Sequence, residues 1–284
     1  MVKEFGCVLD NLVLYVESVS IHAYELLYNK LCFEQLCGTI PNIRVSIGQG
    51  MSEYHYRMNI GKDGGAITVG FKHNSAKPID GLYTMRIEFN PQKEEEMHKS
   101  FFKVFNRYFG AHTKKIKQMD LAFDVPVAIP QVMVYSLTGR DKSYFKNTLY
   151  FGSSGNNGRL KVYDKKAELK DKQGVIIEDD YKTRIEYTIK FDDAVTAQLL
   201  SKLDISINNE YKIVVFDDEK VKGELKACIL AVQSNMVQMK EFTRTTKTKI
   251  KKALEDMEQL DLDHAYTSAR ADIVKIITSY FRIA

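Results

Sequence analysis

The sequence lacks the features of several common classes of protein. No apolar run approaches about 18 residues, and charges interrupt the N-terminal stretch MVKEFGCVLDNLVLYV, so neither a membrane span nor a signal peptide is expected. Low-complexity tracts are absent too. The few cysteines form no CxxC pair, which predicts reduced, mostly buried thiols in a cytoplasmic protein; they are Cys7, Cys32, Cys37 and Cys228.

Motifs for zinc and for nucleoside triphosphates are missing as well. The six histidines are scattered, with no His-x-His or HExxH pair, which argues against a zinc site. The glycine-rich stretch FGSSGNNGR lacks the GK[ST] ending of a phosphate-binding loop. We interpret it as the turn of a β-hairpin between strands at 147–151 and 159–163.

What the sequence does contain is period-two alternation, which predicts strands with one buried face. After about residue 205 the apolar residues recur at helical spacing instead, in stripes that begin at Leu225 and Ile273. We therefore expect an α+β fold, with a central antiparallel β-sheet, helices on one face and a C-terminal helical unit. The length of 284 residues favours one main domain, 1–205, and a smaller one, 206–284. The predicted strands cover 53–60, 66–71, 83–90, 118–125, 147–151, 159–163 and 181–189.

Carboxylates gather on the polar faces of these strands. Two carboxylates about 4 Å apart repel by ~1 kcal/mol in water and ~4 kcal/mol at an effective dielectric of 20. Ion pairs with Arg86 and Arg184 would relieve this repulsion, and so would a divalent cation; all-oxygen ligands favour Mg²⁺ or Mn²⁺ over zinc. A solvated sheet face explains the alternation equally well, so the spacing alone leaves both readings open. The acids are Glu88, Asp120, Asp124 and Glu186.

The stretch GRLKVYDKKAEL places Tyr163 at the end of a polar-faced strand, shortly before Lys165 and Lys166. A phenol, with a pKa of about 10, attacks a phosphodiester only when its proton is removed and the phosphate charge is screened. A metal can polarise the phosphoryl oxygen, and a lysine can stabilise the phenolate or the departing charge. Phenolate leaves more readily than an alkoxide, so a DNA 3′-OH can later reseal the phosphotyrosine bond. This chemistry favours an enzyme that nicks and rejoins a strand.

Five segments together resemble one known family. They are similar, in order and separation, to the trans-acting Rep initiators of plasmid rolling-circle replication, and to related relaxases of integrative conjugative elements. The resemblance covers roughly residues 80 to 195. The segments are MRIEFNPQK (85–93), MDLAFDV (119–125), LYFG (149–152), RLKVYDKKAELKD (159–171) and TRIEYTIK (183–190).

The resemblance implies an HUH-nuclease-like catalytic domain over 1–205 and a region for DNA binding or dimerisation over 206–284. The implied activity is sequence-specific nicking and rejoining at a plasmid origin through a covalent 5′-phosphotyrosine intermediate, dependent on Mg²⁺ or Mn²⁺. The implied partners are origin DNA, double-stranded and melted, a host replicative helicase and a second copy of the chain, with no membrane.

The resemblance also assigns roles to residues. Tyr163 matches the nucleophile, and Lys166 belongs to the basic pair that follows it. The family's metal ligands come from acidic positions, although the histidine pair that the wider superfamily places on a central strand is absent here. The matching acids are Glu88, Asp120, Glu186 and Asp124.

Basic residues gather around 142–172 and 240–252, where they would line a DNA backbone. Tyr144 and Phe145 would offer stacking surfaces to single-stranded bases. A solvated helix with a contact between Lys251 and Glu255 explains the second cluster equally well. The DNA-binding candidates are Arg86, Arg159, Lys161, Lys165, Arg184, Arg244, Lys247 and Lys249.

Two other functions stay open at this point. A relaxase of an integrative or conjugative element would share the site and differ in its target DNA. A non-catalytic origin-binding regulator would need neither Tyr163 nor the acidic face, so their presence argues against it.

Overall fold

The computed structural model describes residues 4–40, 43–47, 52–61, 66–75, 77–174, 183–234 and 236–281. The chain divides into two compact units that interleave along the sequence. The sheet unit comprises Leu9–Leu121, Ile189–Leu203 and Arg270–Ala284. The cleft unit comprises Met1–Val8, Ala122–Thr188 and Asp204–Ala269. The functional division at residue 205 stays a prediction.

The strands alternate with helices along the chain. The helices are α1 Ile21–Cys37, α2 Glu95–Phe109, α3 Lys165–Gln173, α4 Ala197–Leu200, α5 Gly223–Gln233, α6 Arg244–Glu255 and α7 Leu262–Phe281. None of the helices within the described ranges combines the length and the apolar character needed to cross a bilayer. The strands are β1 Cys7–Val19, β2 Val45–Ile47, β3 Tyr54–Ile60, β4 Ile67–His73, β5 Tyr83–Phe89, β6 Lys114–Val125, β7 Val132–Ser136, β8 Lys142–Phe145, β9 Thr148–Phe151, β10 Arg159–Asp164, β11 Thr183–Val195, β12 Tyr211–Val215 and β13 Glu258–Gln259.

In the sheet unit the strand order is β2-β3-β4-β5-β1-β6, and the neighbours from β2 to β1 are antiparallel. Helices cover one face of this sheet. The register of β4 and β5 puts Phe71 and Phe89 on the same face, and residues of three helices contact these two rings. Tyr24 of α1 stacks on Phe71 with ring centroids 4.9 Å apart. The ring centroids of Phe102 of α2 and Tyr280 of α7 lie 5.1 and 5.0 Å, respectively, from that of Phe89. The predicted α+β class with a large antiparallel sheet is confirmed.

In the cleft unit the strand order is β11-β10-β9-β8, with antiparallel neighbours. The predicted hairpin of β9 and β10 is confirmed. Strand β8, which the sequence analysis missed, joins β9 through a two-residue turn. Lys146 and Asn147 both have positive φ there, at 46° and 60°, which matches the right-handed twist of a tight hairpin.

The cleft unit has a second, three-stranded sheet in the order β13-β12-β7. Val214 of β12 packs in one apolar cluster with Val232 of α5 and Leu254 of α6, and all three are buried. Residues 206–284 therefore hold strands in addition to the predicted helices. The helical stripe that begins at Leu225 was predicted to continue to Met239, which is too far, because α5 ends at Gln233.

The cysteines differ in their environments. Cys7 is buried, and burial raises the pKa of its thiol to about 12. Cys37 is exposed, while Cys32 and Cys228 are half-buried. All four are free thiols, as predicted, but burial was predicted for more of them than the structure buries.

Candidate active site

A cleft of 540 Å³ lies in the cleft unit, between the β8–β9 turn, β10, the start of α3 and β11. Strand β10 supplies alternate residues to its wall, because side chains two apart on a strand project to the same face. The lining residues are Phe145, Lys146, Asn147, Thr148, Tyr150, Arg159, Lys161, Tyr163, Asp164, Ala167, Glu168, Asp171 and Glu186.

Tyr163 and Glu186 form the central pair of this cleft. In the antiparallel register of β10 and β11, Lys161 lies opposite Glu186, and Tyr163 lies two residues further along. Diagonal neighbours of this kind are within reach of long side chains. The Tyr163 hydroxyl donates to Glu186 Oε1 at 2.5 Å, and Lys161 Nζ donates to Glu186 Oε2 at 2.7 Å. Lys161 thus orients the Glu186 carboxylate so that its second oxygen, Oε1, accepts the hydrogen bond from the phenol.

This pair is largely withdrawn from water. Tyr163 is 8% exposed and Glu186 is 6% exposed. Burial, and then the charge of Glu186, raise the pKa of Tyr163 well above its ordinary value. The phenol is therefore protonated at neutral pH, with a carboxylate already placed to accept its proton. Such a tyrosine can act as a nucleophile only if the proton leaves as the oxygen attacks.

The lysines after Tyr163 are placed by the start of α3. Asp164 caps that helix by accepting from the Ala167 backbone N–H at 3.0 Å. Lys165 Nζ lies 5.7 Å from the centroid of the Tyr163 ring and pairs with Glu168 at 2.6 Å. Lys166 does not line the cleft, so its catalytic role stays a prediction, whereas Lys161 lines the cleft and donates to Glu186.

Asp124 and Arg184 form an ion pair in the same unit. Arg184 Nε donates to Asp124 Oδ1 at 2.6 Å, and a second nitrogen donates to Oδ2. The Arg184 side chain is 13% exposed and the Asp124 side chain is 28% exposed. Because Arg184 lies opposite Tyr163 in the register, this pair ties β6 to β11 directly beside the nucleophile candidate.

Replacing Asp124 by Asn is expected to destabilise the protein by about 1–3 kcal/mol, since a charged, bidentate hydrogen bond is lost and a partly buried guanidinium stays behind. Urea unfolding followed by circular dichroism measures the change. The matched control is Asp218→Asn, which breaks an exposed pair with Lys226 and should leave stability nearly unchanged. Equal losses in the two variants would contradict the prediction.

The predicted metal ligands divide between the two units. Asp124 and Glu186 belong to the cleft unit, whereas Glu88 and Asp120 belong to the sheet unit. In the sheet unit, Glu88 pairs with Arg86 at 2.7 Å, and Asp120, 8% exposed, accepts from Gln118 at 3.2 Å. Their placement relative to Tyr163 stays a prediction.

The described acids do not fit a metal in the arrangement seen here. Arginine or lysine nitrogens already neutralise the carboxylates of Asp124, Glu186 and Glu88. Within the described ranges, no three or more His, Cys, Asp or Glu side chains lie where they could hold one ion. The requirement for Mg²⁺ or Mn²⁺ stays a prediction.

The predicted DNA-binding residues are also dispersed. Arg159 and Lys161 line the cleft, where the Arg159 guanidinium lies 4.6 Å from the centroid of the Tyr150 ring. The tip of the β8–β9 hairpin exposes Tyr144 by 55% and Phe145 by 62%. The cleft lining contains neither Lys165 nor Arg184, and Arg86 belongs to the sheet unit; Arg244, Lys247 and Lys249 lie on α6.

Sequence reasoning missed the direct bond between Tyr163 and Glu186. The resemblance placed Glu186 among the metal ligands, which stays a prediction. Alternation shows which side chains share a face, but it does not show which strands are neighbours. The Lys-x-Tyr spacing of β10 and the Arg-x-Glu spacing of β11 could have indicated this bond. If the two strands are assumed to pair, Lys161 can face Glu186, and Tyr163 is then the diagonal neighbour of Glu186.

Comparisons with known proteins give a coarse likeness. No family model matches the chain, and no curated protein matches its sequence. Among solved structures, a rolling circle replication initiator protein from Geobacillus stearothermophilus aligns with 91% of this chain and 99% of its own. The sequence identity is 10% and the TM-score is 0.39, so no residue role is transferred from that structure.

Proposed function

We propose that this protein nicks and rejoins a DNA strand, with Tyr163 as the nucleophile and Glu186 as the acceptor of its proton, and that it initiates rolling-circle replication of a plasmid. The observation that carries the proposal is the 2.5 Å hydrogen bond from the Tyr163 hydroxyl to the Glu186 carboxylate inside a cleft with basic residues on its wall. The ordered motifs of the sequence support the choice of DNA as substrate.

In the proposed cleavage, the Tyr163 oxygen attacks a backbone phosphorus. The new bond joins that oxygen to phosphorus, and the bond from phosphorus to the DNA 3′-oxygen breaks. The phenolic proton passes to Glu186, and the departing 3′-oxygen takes a proton from water. Rejoining is the reverse: a 3′-OH loses its proton to water and its oxygen attacks the phosphorus. The bond from phosphorus to the phenolic oxygen then breaks, and Tyr163 recovers its proton from Glu186.

Concerted proton transfer answers the main energetic objection. The raised pKa of Tyr163 makes a free phenolate costly in the resting protein. When the phenolic oxygen is bonded to phosphorus, it carries less charge than a free phenolate. Glu186 is neutral once it holds the proton, so Lys161 then faces the phosphate instead of a charged carboxylate. Lys161 would then screen the phosphoryl oxygens, as electrostatic stabilisation of developing charge requires.

The surrounding surface suits a single strand. Tyr144 and Phe145 project from the exposed hairpin tip, and Lys146 and Arg159 line the cleft beside them. Aromatic faces that stack on bases, next to cations that follow the backbone, are the usual elements of single-strand binding. The proposal also includes metal dependence, recruitment of a helicase and formation of a homodimer. These three parts rest on the sequence resemblance and not on a contact within the described residues.

Mass spectrometry provides the direct test. The protein is incubated with supercoiled plasmid carrying its candidate origin, with and without Mg²⁺ or Mn²⁺, and digested with trypsin. The expected result is one peptide that carries a nucleotide on Tyr163. Nicking with an adduct on another residue would contradict the proposed nucleophile, and a plasmid that stays closed under all conditions would favour a non-catalytic DNA-binding regulator.

A relaxase of an integrative or conjugative element would use the same cleft. It differs in the DNA that it recognises, so the same assay with transfer-origin plasmids separates the two activities. Cleavage of the transfer origin alone would favour the relaxase.

A further inference from the structure

A second, smaller cavity of the cleft unit has the composition of an anion site. It encloses 220 Å³ between β7, the start of β8, the turn before α6 and one face of α6. Its lining joins apolar side chains to five basic residues and one acid. The basic residues are Arg140, Lys142, Lys240, Lys247 and Lys251, and the acid is Asp141.

Lys142 is the most informative of these cations. Its ammonium donates to the Val232 carbonyl at 2.7 Å, and burial lowers the pKa of this lysine to about 8. A carbonyl satisfies a donor but does not neutralise a charge, and no carboxylate within the described part of the chain pairs with this ammonium. A negatively charged ligand in the cavity would supply the missing counter-charge.

Helix α6 presents two more cations to the same space. Lys247 and Lys251 are four residues apart, so they lie one above the other on one face of the helix. Lys247 also donates to the Lys240 carbonyl at 2.9 Å, which fixes the turn that carries Lys240. Arg140 is already engaged by Glu210 at 2.7 Å and Lys240 by Asp141 at 3.7 Å, so Lys142, Lys247 and Lys251 supply the positive charge that is available to a ligand.

The apolar part of the lining limits the ligand further. Val134, Phe151 and Met239 line the cavity, and contact with them suits a base or sugar better than a bare inorganic ion. A cavity of 220 Å³ is smaller than the ~300–1,000 Å³ of most sites for drug-sized ligands, so it admits one such unit and not a folded chain.

We propose that this cavity binds one phosphate-bearing nucleotide, with its phosphate on Lys142, Lys247 and Lys251 and its base or sugar on the apolar wall. This site is separate from the Tyr163 cleft, and the two linings share no residue. The nucleotide could be free in solution or one unit of a DNA strand, and both carry the chemistry that the cavity recognises.

Titration calorimetry on the full chain tests the site. All titrations use Tyr163→Phe protein, so that strand cleavage cannot contribute and failure of the proposed nicking activity leaves the result readable. The probes are deoxyadenosine monophosphate, an oligothymidylate and inorganic phosphate. The variants are Lys142→Met and Lys251→Gln, and the matched control is Lys252→Gln, which removes an exposed charge of the same helix outside the cavity.

We expect about tenfold weaker nucleotide binding in each cavity variant and a change under about twofold in the control. Weakened monophosphate binding identifies a free nucleotide as the ligand, and weakened oligothymidylate binding alone identifies a unit of the strand. Equal effects of Lys251→Gln and Lys252→Gln would overturn the proposal, because a general basic surface would then explain the affinity. Inorganic phosphate binding as tightly as the nucleotides would overturn the assignment to a nucleotide.

The melting temperature of each variant shows whether weaker binding results from a loss of folding. If Lys142→Met unfolds, Lys251→Gln decides alone, because its side chain is exposed and its loss leaves the core intact. The pH gives a second readout: binding to the parent should weaken as the pH rises through about 8 and Lys142 loses its proton, whereas Lys142→Met should lose this dependence. The other groups that line the cavity and carry charge are Arg140, Asp141, Lys240, Lys247 and Lys251.

Discussion

Tyr163→Phe is expected to abolish the covalent DNA adduct and strand cleavage while DNA binding persists. The substitution removes only the hydroxyl oxygen, which is the atom that would attack phosphorus. It also removes the donor to Glu186, so the buried carboxylate keeps Lys161 as its partner and stability falls by about 1–3 kcal/mol. Denaturing gel electrophoresis of labelled DNA measures the adduct, and fluorescence anisotropy measures binding.

Tyr187→Phe provides the matched control for this loss. Tyr187 lies on β11, is also buried, and hydrogen-bonds to Glu210 in the same unit, but it does not line the cleft. Its loss should reduce stability by a similar amount and leave the adduct intact. An adduct formed by Tyr163→Phe, or one lost equally in Tyr187→Phe, would show that Tyr163 is not the nucleophile.

Glu186→Gln is expected to slow cleavage by about 10²- to 10⁴-fold, the usual contribution of a general base. The variant also separates two roles that the carboxylate could play. Its charge helps to raise the pKa of Tyr163, so an amide should lower that pKa and speed the reaction if destabilising phenolate were its sole effect. A slower reaction together with a lower phenol pKa identifies Glu186 as the proton acceptor.

The pH dependence sharpens this test. In the variant, hydroxide must replace the carboxylate as proton acceptor, so single-turnover cleavage should keep rising into the alkaline range, where tyrosine absorbance also reports the phenol pKa. Glu210→Gln is the matched control, because Glu210 likewise bonds a tyrosine and pairs with an arginine, away from the cleft. Glu186→Gln cleaving at the parental rate at neutral pH would overturn the role of Glu186.

The acidic residues were harder to interpret than the tyrosine, because they are divided between the two units. Alternation placed Glu88, Asp120, Asp124 and Glu186 on polar strand faces, and all four do lie on strands β5, β6 and β11. Glu88 and Asp120 bond residues two positions away, whereas the partners of Asp124 and Glu186 lie far away in sequence. Asp124 bonds Arg184 and Glu186 bonds Lys161, and the role of these two acids as metal ligands stays a prediction.

The sequence by itself determined the strands with one polar face. In β5 the alternation leaves Met85, Ile87 and Phe89 buried, as the pattern predicts, because water and the core impose period two on such a strand. The hairpin of β9 and β10 and the position of Tyr163 at the end of its strand also followed from local pattern, as did the helical stripe of α7.

Only the tertiary structure decided the strands and contacts whose cause is not local. Strand β1 buries Leu12, Val13 and Leu14 in succession, because it is covered on both faces, and a continuous apolar run does not distinguish a strand from a buried helix. The bond between Tyr163 and Glu186 likewise exists only because β10 pairs with β11 in one register. A shift of one residue would turn the phenol to the opposite face.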